Sequence, residues 1–375
     1  MYLRVKNKIK KEVNTLLSYI FKNKISISTN ENNIRNLSTN DSYSFSKKNF
    51  TYIGAQPYWM AFKNIKLRNL FVKELKDVEV IDHGVIVNSE GYIELESTIF
   101  QKEYLNKLNC NHWVYLRKLF YFNHIEKAIV LSNYLEQNYY HWILECVSRL
   151  VIIKTEELNK YKIVIDSKSP KFVIDSLINL LDINQENIFL KKNKRLKVSN
   201  VLIPSFPHTR DESTSWTNVY NPSVIRKINS LSKRKTIIAP RKRNFIISRK
   251  KATQRRILNS DIILKKYTEL CFEIVFLEDL LFTEQMQLFR NAGIIISTHG
   301  AGLTNLIFSE QPVIVEFFPS NRYNRDAFYF YQISSELDFS HYIIEFEAKN
   351  AKQDLFLDEN TLSELDKVIT EYKNV

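Results

Sequence analysis

The second half of the chain alternates without interruption between short apolar runs and amphipathic stretches. Residues 244–248, 273–277, 293–297, 313–317 and 342–346 have the length and composition of buried strands, and segments such as 255–267 and 284–292 between them carry helical spacing. Strand, helix and strand in regular succession predict a parallel sheet covered by helices on both faces, and such sheets bind ligands beyond the carboxyl ends of their strands. An α/β fold is therefore expected.

The first half is harder to order. Between residues 52 and 100, Gly54, Gly84 and Gly91 punctuate short strand-like runs such as Val85–Val87. Residues 128–132 predict a strand leading into a helix over 139–153, and Lys162–Asp166 predicts another strand followed by a helix over 170–181. The expected organisation is a basic amphipathic helix at 1–28, a linker at 29–50, an α/β half at 51–215, a second α/β half at 216–350 and a C-terminal helix at 351–375. At 375 residues the chain is long enough for two domains. The boundary falls in the polar, proline-containing stretch 207–222.

The formal net charge of +13 favours anionic partners: nucleotide phosphates, a lipid surface or nucleic acid. Ile9, Val13, Leu16, Leu17 and Ile20 line one helical face among lysines, a pattern that suits either an anionic membrane surface or packing on the protein itself. The run Lys233, Arg234, Lys235, Arg241, Lys242, Arg243 reads as a phosphate patch or as a solvated loop. Cys110, Cys146 and Cys271 have neither disulfide-framework nor zinc-ligand spacing, which fits a reducing compartment. No apolar run reaches the roughly 18–20 residues of a membrane span, and no cleavable leader is evident at 1–28, so a cytoplasmic protein is expected, peripheral at the inner face of the plasma membrane if the N-terminal helix binds lipid.

Three segments concentrate chemistry. Of six glycines, three lie in AGIIISTHGAGLTNLIF. There an apolar strand runs through His299, Gly300, Ala301 and Gly302 into the helical start Leu303, Thr304, Asn305. Glycines and a helix N-terminus suit a diphosphate, or simply a tight turn. In NYYHWILECVSRL, His141, Glu145 and Arg149 share one face of a helix that is otherwise apolar; the stripe is either an ion-pair network or the wall of a cleft. In FIISRKKATQRRILN, Ser248 and Arg249 follow a strand where a phosphate ligand would lie, and Arg249 offers a planar fork of donors. Glu316, near the end of the strand in VIVEFFP, is placed for a ribose or sugar hydroxyl, or for a helix cap.

These segments, in this order between about 138 and 319, resemble glycosyltransferase family 61, which includes bacterial capsule-type enzymes, plant xylan-decorating transferases and animal O-linked N-acetylglucosaminyltransferases. Ser148, Ser260 and Glu310-Gln311-Pro312 depart from the family pattern, changes that touch loop shape rather than the candidate chemical groups. The resemblance implies a GT-B-like fold of two Rossmann-like domains with a cleft between them, inversion at the anomeric carbon, a nucleotide-sugar donor with a UDP-sugar foremost, and no cofactor or required metal. The chain contains no Asp-x-Asp motif. Glu145 is then expected as base, with His141 orienting it or sharing the role. Ser248, Arg249, His299 and the amides of 300–304 would meet the donor diphosphate, Asn305 would secure the turn or touch the nucleotide, and Glu316 would hold the ribose. The acceptor would be a glycan or lipid-linked glycan of a surface polysaccharide. Two rivals remain: a sugar-phosphate transferase, and a basic nucleic-acid-binding module, against which stands the lack of any nucleic-acid motif.

Overall fold

The computed structural model describes residues 33–37, 42–44, 49–54, 65–81, 83–90, 92–97, 123–131, 136–192, 195–210, 218–320 and 328–373. The expected helix at 1–28 and much of the expected linker lie outside these residues. None of the helices among them is long and apolar enough to cross a membrane.

Two sheets organise the chain. The first runs Ile34–Asn36, Phe71–Ile81, Arg195–Pro204, Asn123–Val130, Lys162–Asp166, Ile188–Lys191, with Val85–Val87 returning on Phe71–Ile81. Its last four strands are mutually parallel, whereas Phe71–Ile81 and Ile34–Asn36 add on antiparallel. Gly84, at φ 91°, makes the tight return to Val85–Val87 in a region that side chains avoid. Part of the segment expected as a linker thus pairs as an edge strand at Ile34–Asn36, a pairing that needs backbone groups rather than apolar side chains.

The second sheet is wholly parallel, in the order Phe272–Val275, Arg243–Ile247, Ala292–Thr298, Val313–Pro319, Ser340–Phe346, Phe50–Ile53. Its strands overlap every expected strand of the second half, because strands covered on both faces read as continuous apolar runs. Phe50–Ile53, assigned by sequence to the linker and the first half, completes its edge. The order reverses between Arg243–Ile247 and Ala292–Thr298, and the crevice beyond their carboxyl ends is where sheets of this type place a ligand.

Helix starts follow local capping. Asn138 accepts the Tyr140 amide at 3.0 Å to open helix 139–150. Asn221 accepts from Ser223 at 3.0 Å, with Pro222 in the first turn of Pro222–Lys233. Glu284 reaches back to the Leu281 amide at 2.7 Å to start Phe282–Arg290. The helix expected from residue 255 begins instead at Ser260: Arg255 has φ 55°, which no right-handed helix contains.

One apolar cluster runs through both halves, from Ile129, Trp142, Leu150 and Leu177 to Ile228, Phe245, Ile295, Leu306 and Phe330. Helix 139–150 sits inside it, and Trp142 Nε1 donates to Ser176 Oγ at 2.7 Å. A second cluster covers the other face of the second sheet with Tyr267 and the C-terminal helix Glu359–Lys373, through Leu365, Val368 and Ile369.

Candidate active site

The strand Arg243–Ile247 ends at the reversal point of the second sheet, and Ser248 extends its ladder by donating its amide to Val275 O at 2.8 Å. Arg249 follows, and its guanidinium lies over Gly300, so that a Cβ on Gly300 would crowd Nη1. Gly300 itself has extended backbone, φ 175°. Glycine here therefore leaves room for the guanidinium and is not called for by a turn. Burial lowers the Arg249 pKa, with Glu278 acting in the opposite direction. Among the described residues no carboxylate pairs with Arg249; its Nε donates to Gln254 O at 3.2 Å. A cation partly stripped of water, with Glu278 near enough to act on its charge but no carboxylate bonded to it among the described residues, is suited to an incoming anion.

The short helix Ala301–Phe308 starts beside this guanidinium. The Ala301 and Gly302 amides have no acceptor among the described residues, while Leu303 N already bonds Gly300 O at 2.9 Å. The orphan donors at this helix start number among the groups that bind phosphate elsewhere. A Cβ at Gly302 would lie 2.7 Å from Leu277 Cδ1, so glycine also lets this turn sit against the neighbouring strand end. Leu303, Thr304 and Asn305 are buried. Asn305 donates to Gly302 O at 3.1 Å and Gln285 Oε1 at 2.9 Å and accepts from Tyr139 OH, which secures the turn and ties it to helix 139–150. Thr304 Oγ1 is buried without a hydrogen-bond partner among the described residues.

His299 leaves the Ala292–Thr298 strand with its amide on Phe317 O at 2.9 Å and its ring 5.0 Å from both Phe318 and Phe330. Its Nδ1 contacts Glu316 Oε1. Glu316 Oε2 lies 3.0 Å from His341 Nε2, and His341 Nδ1 lies 2.9 Å from Ser334 Oγ. Glu316 is fully buried with both oxygens engaged by histidines, so here it orients His299 and presents no free oxygen to a ribose hydroxyl. Burial pushes the Glu316 carboxyl up, but the charge and hydrogen bonds of His299, together with His341, outweigh it and hold the pKa below the usual carboxylate range. The Glu316 carboxylate, set between two imidazoles, fixes the His299 ring beside Gly300 and the amides of Ala301 and Gly302.

The polar stripe of helix 139–150 divides. Its centre, Trp142–Val147, is a π-helical turn, a local widening common at functional sites. Glu145 Oε2 lies 2.8 Å from His141 Nδ1, and Oε1 accepts from Asn218 Nδ2 and Tyr220 OH, each at 3.2 Å. The Glu145 side chain is 1% exposed and that of His141 25%. The carboxylate is thus enclosed behind the imidazole, and His141 is the member that meets solvent. Burial first, then Tyr140 and Glu145, push the Tyr220 hydroxyl well above its ordinary pKa, so it stays a donor. The Asn218–Tyr220 strand is fixed by Gln332, which accepts from Tyr220 N and donates to Asn218 O, both at 2.9 Å.

Arg149 turns elsewhere. It is buried, donates to Pro204 O and Glu96 O at 2.8 Å each, and stacks 4.2 Å from the Phe206 ring centre. Replacing it by alanine would strand two buried carbonyls, and we expect Arg149→Ala to lower unfolding free energy by about 3 kcal/mol in urea titration. Ligand binding by the fraction that remains folded should be unchanged.

The structure brings two groups to one junction: His141 and Glu145 from helix 139–150, and Arg249, His299 and residues 300–302 from the second sheet. The Tyr140 ring, 5.9 Å from Phe330, and the Tyr139–Asn305 bond link them. Sequence reasoning missed Asn218, Tyr220, Gln332 and His341. Asn218 and Tyr220 stand two apart in a short strand, on one face, which was a usable signal in a stretch read as a boundary. His341, a histidine beside the apolar run of the Ser340–Phe346 strand, was another.

Residues 139–315 match the family model described as Glycosyltransferase 61. The matched stretch opens on the helix of His141 and Glu145 and includes Arg249, His299 and Gly300, and it supports a glycosyltransferase. No curated protein matches the chain.

Proposed function

We propose, from a glycosyltransferase 61 segment whose two polar groups meet at one junction, that the chain is an inverting GT-B glycosyltransferase. It moves a sugar from a nucleotide-sugar, with a UDP-sugar foremost, to a hydroxyl of a glycan or lipid-linked glycan acceptor. The observation that carries this reading is the Arg249 guanidinium lying over Gly300 beside the unpartnered Ala301 and Gly302 amides, at the reversal point of a parallel sheet.

The donor diphosphate lies between Arg249, the Ala301 and Gly302 amides and His299, and the Arg249 charge with these hydrogen-bond donors compensates the departing charge without a metal. The acceptor hydroxyl attacks the anomeric carbon from the opposite face. As the new C–O bond forms, the bond from the anomeric carbon to the phosphate oxygen breaks, and the hydroxyl proton passes to His141 Nε2. Glu145, enclosed behind the ring, holds His141 in position and stabilises the imidazolium. This assignment exchanges the roles expected from sequence, because the more exposed group is the imidazole. The enzyme works on the cytoplasmic side, in synthesis of a capsule or other surface polysaccharide.

Thermal denaturation with UDP, GDP, CMP and dTDP sugars, each with and without EDTA, tests the donor site. One nucleotide family should raise the midpoint at millimolar concentration by several degrees, unaffected by chelator, since a ligand bound at about 100 times its Kd stabilises by about 2.7 kcal/mol. No shift with any of them would remove the nucleotide-sugar reading. Product mass separates glycosyl from sugar-phosphate transfer.

A further inference from the structure

The loop between helix Pro222–Lys233 and strand Arg243–Ile247 carries the basic run singled out by sequence, and with it the two most exposed large apolar side chains among the described residues: Ile237, 78% exposed, and Ile238, 60%. Isolated exposed isoleucines are ordinary on protein surfaces. These two are adjacent, and their backbone is anchored. Gln287 accepts from Ile237 N at 3.0 Å and donates to Ile237 O at 2.6 Å; Asn291 donates to the same carbonyl at 3.0 Å and accepts from Ala239 N at 2.6 Å. The loop is thus held in a form that presents both side chains to solvent.

Lys233, Arg234, Lys235, Arg241, Lys242 and Arg243 flank them along the chain, all exposed. Lys235 pairs with Asp182 and Arg243 with Glu273, and Lys242 donates to Glu310 O at 3.1 Å. Arg234 and Arg241 pair with no carboxylate among the described residues. A solvated loop accounts for the cations and leaves the isoleucines unexplained. A phosphate site accounts for the arginines alone. Apolar side chains flanked by arginine and lysine match the boundary between acyl chains and anionic headgroups.

We infer that residues 233–243 dock the protein on an anionic lipid bilayer, with Ile237 and Ile238 entering the headgroup boundary and Arg234 and Arg241 meeting lipid phosphates. The loop lies at the amino ends of the second sheet, opposite the edge that carries Arg249 and His299. Docking there leaves that edge facing water and open to a soluble donor. The inference stands apart from the reaction assigned above.

Co-sedimentation of the full chain with phosphatidylcholine vesicles, with and without phosphatidylglycerol, tests it. The protein should bind only the phosphatidylglycerol vesicles. I237S/I238S should weaken binding at least about tenfold, and R234Q/R241Q about tenfold with a shallower salt dependence. Both pairs of side chains are exposed, so the variants should melt as the wild type does. Absence of wild-type binding, or wild-type affinity in both variants, would overturn the inference. So would a change from dimer to monomer on sizing of I237S/I238S without loss of vesicle binding, which would make the loop a protein interface. Binding that survives both variants and disappears on deletion of residues 1–28 would assign the membrane contact to the N-terminus instead.

Discussion

Arg249→Ala is expected to lower kcat/KM for transfer by about 10²–10³-fold, the range seen when one preorganised donor to a developing anion is removed. It should also abolish the donor-induced rise in melting temperature. The reason is the state of the guanidinium in the free protein. It is partly desolvated, paired with no carboxylate among the described residues, and held by one long bond from Nε to Gln254 O at 3.2 Å. Its strongest interaction therefore awaits an anion, and its loss should leave the melting temperature without ligand nearly unchanged. Arg249→Lys keeps the charge and loses the planar fork, so it should recover part of the affinity and little of the rate. Gly300→Ala offers an independent route to the same defect: a methyl there would crowd Nη1 and shift the guanidinium without removing it. Donor affinity should fall in this variant too. If Arg249→Ala retained both turnover and the donor shift, the diphosphate would have to lie elsewhere, and the reading of the sheet's reversal point as the donor site would fail with it.

How much of this was legible follows from where the information resides. The strands of the second sheet were visible because burial on both faces demands uninterrupted apolar runs such as Ile294–Ile296 and Val313–Val315. The early start assigned to the helix after Arg249 failed because a left-handed Arg255 leaves no mark in an apolar pattern. Phe50–Ile53 joins Ser340–Phe346 across almost the whole chain, a pairing that no local window encodes. At the site, sequence could nominate His299, Gly300 and Arg249 as separate residues of suitable type. It could not show that Arg249 lies over Gly300. Glu316 misled for a related reason: a carboxylate near a strand end suggests a ligand, yet both its oxygens are taken by histidines, one of them distant in sequence.

The exchange of roles between His141 and Glu145 has the second large consequence. His141→Ala should reduce kcat by about 10³-fold or more, within the range assigned to a positioned general base, and imidazole added to this variant should restore part of the rate. Glu145→Gln preserves size and can still hydrogen-bond the ring, but it removes the charge that stabilises the imidazolium and can reverse the polarity of the 2.8 Å contact with Nδ1. A fall of about 10²-fold or more is expected there, with no imidazole rescue, since the ring is already present. Donor affinity, read from the thermal shift, should remain within a few-fold of wild type in both variants because neither residue belongs to the diphosphate group. The opposite pattern is equally clear. Substantial turnover in His141→Ala, insensitive to imidazole, together with an inactive Glu145→Gln, would return the base to Glu145 and require the carboxylate to leave Asn218 and Tyr220 when acceptor binds. Tyr220→Phe separates the cases further. If Glu145 only positions His141, loss of one of its three neighbours should cost a few-fold in rate; if Glu145 must be released to act, that loss should leave the rate unchanged or raise it.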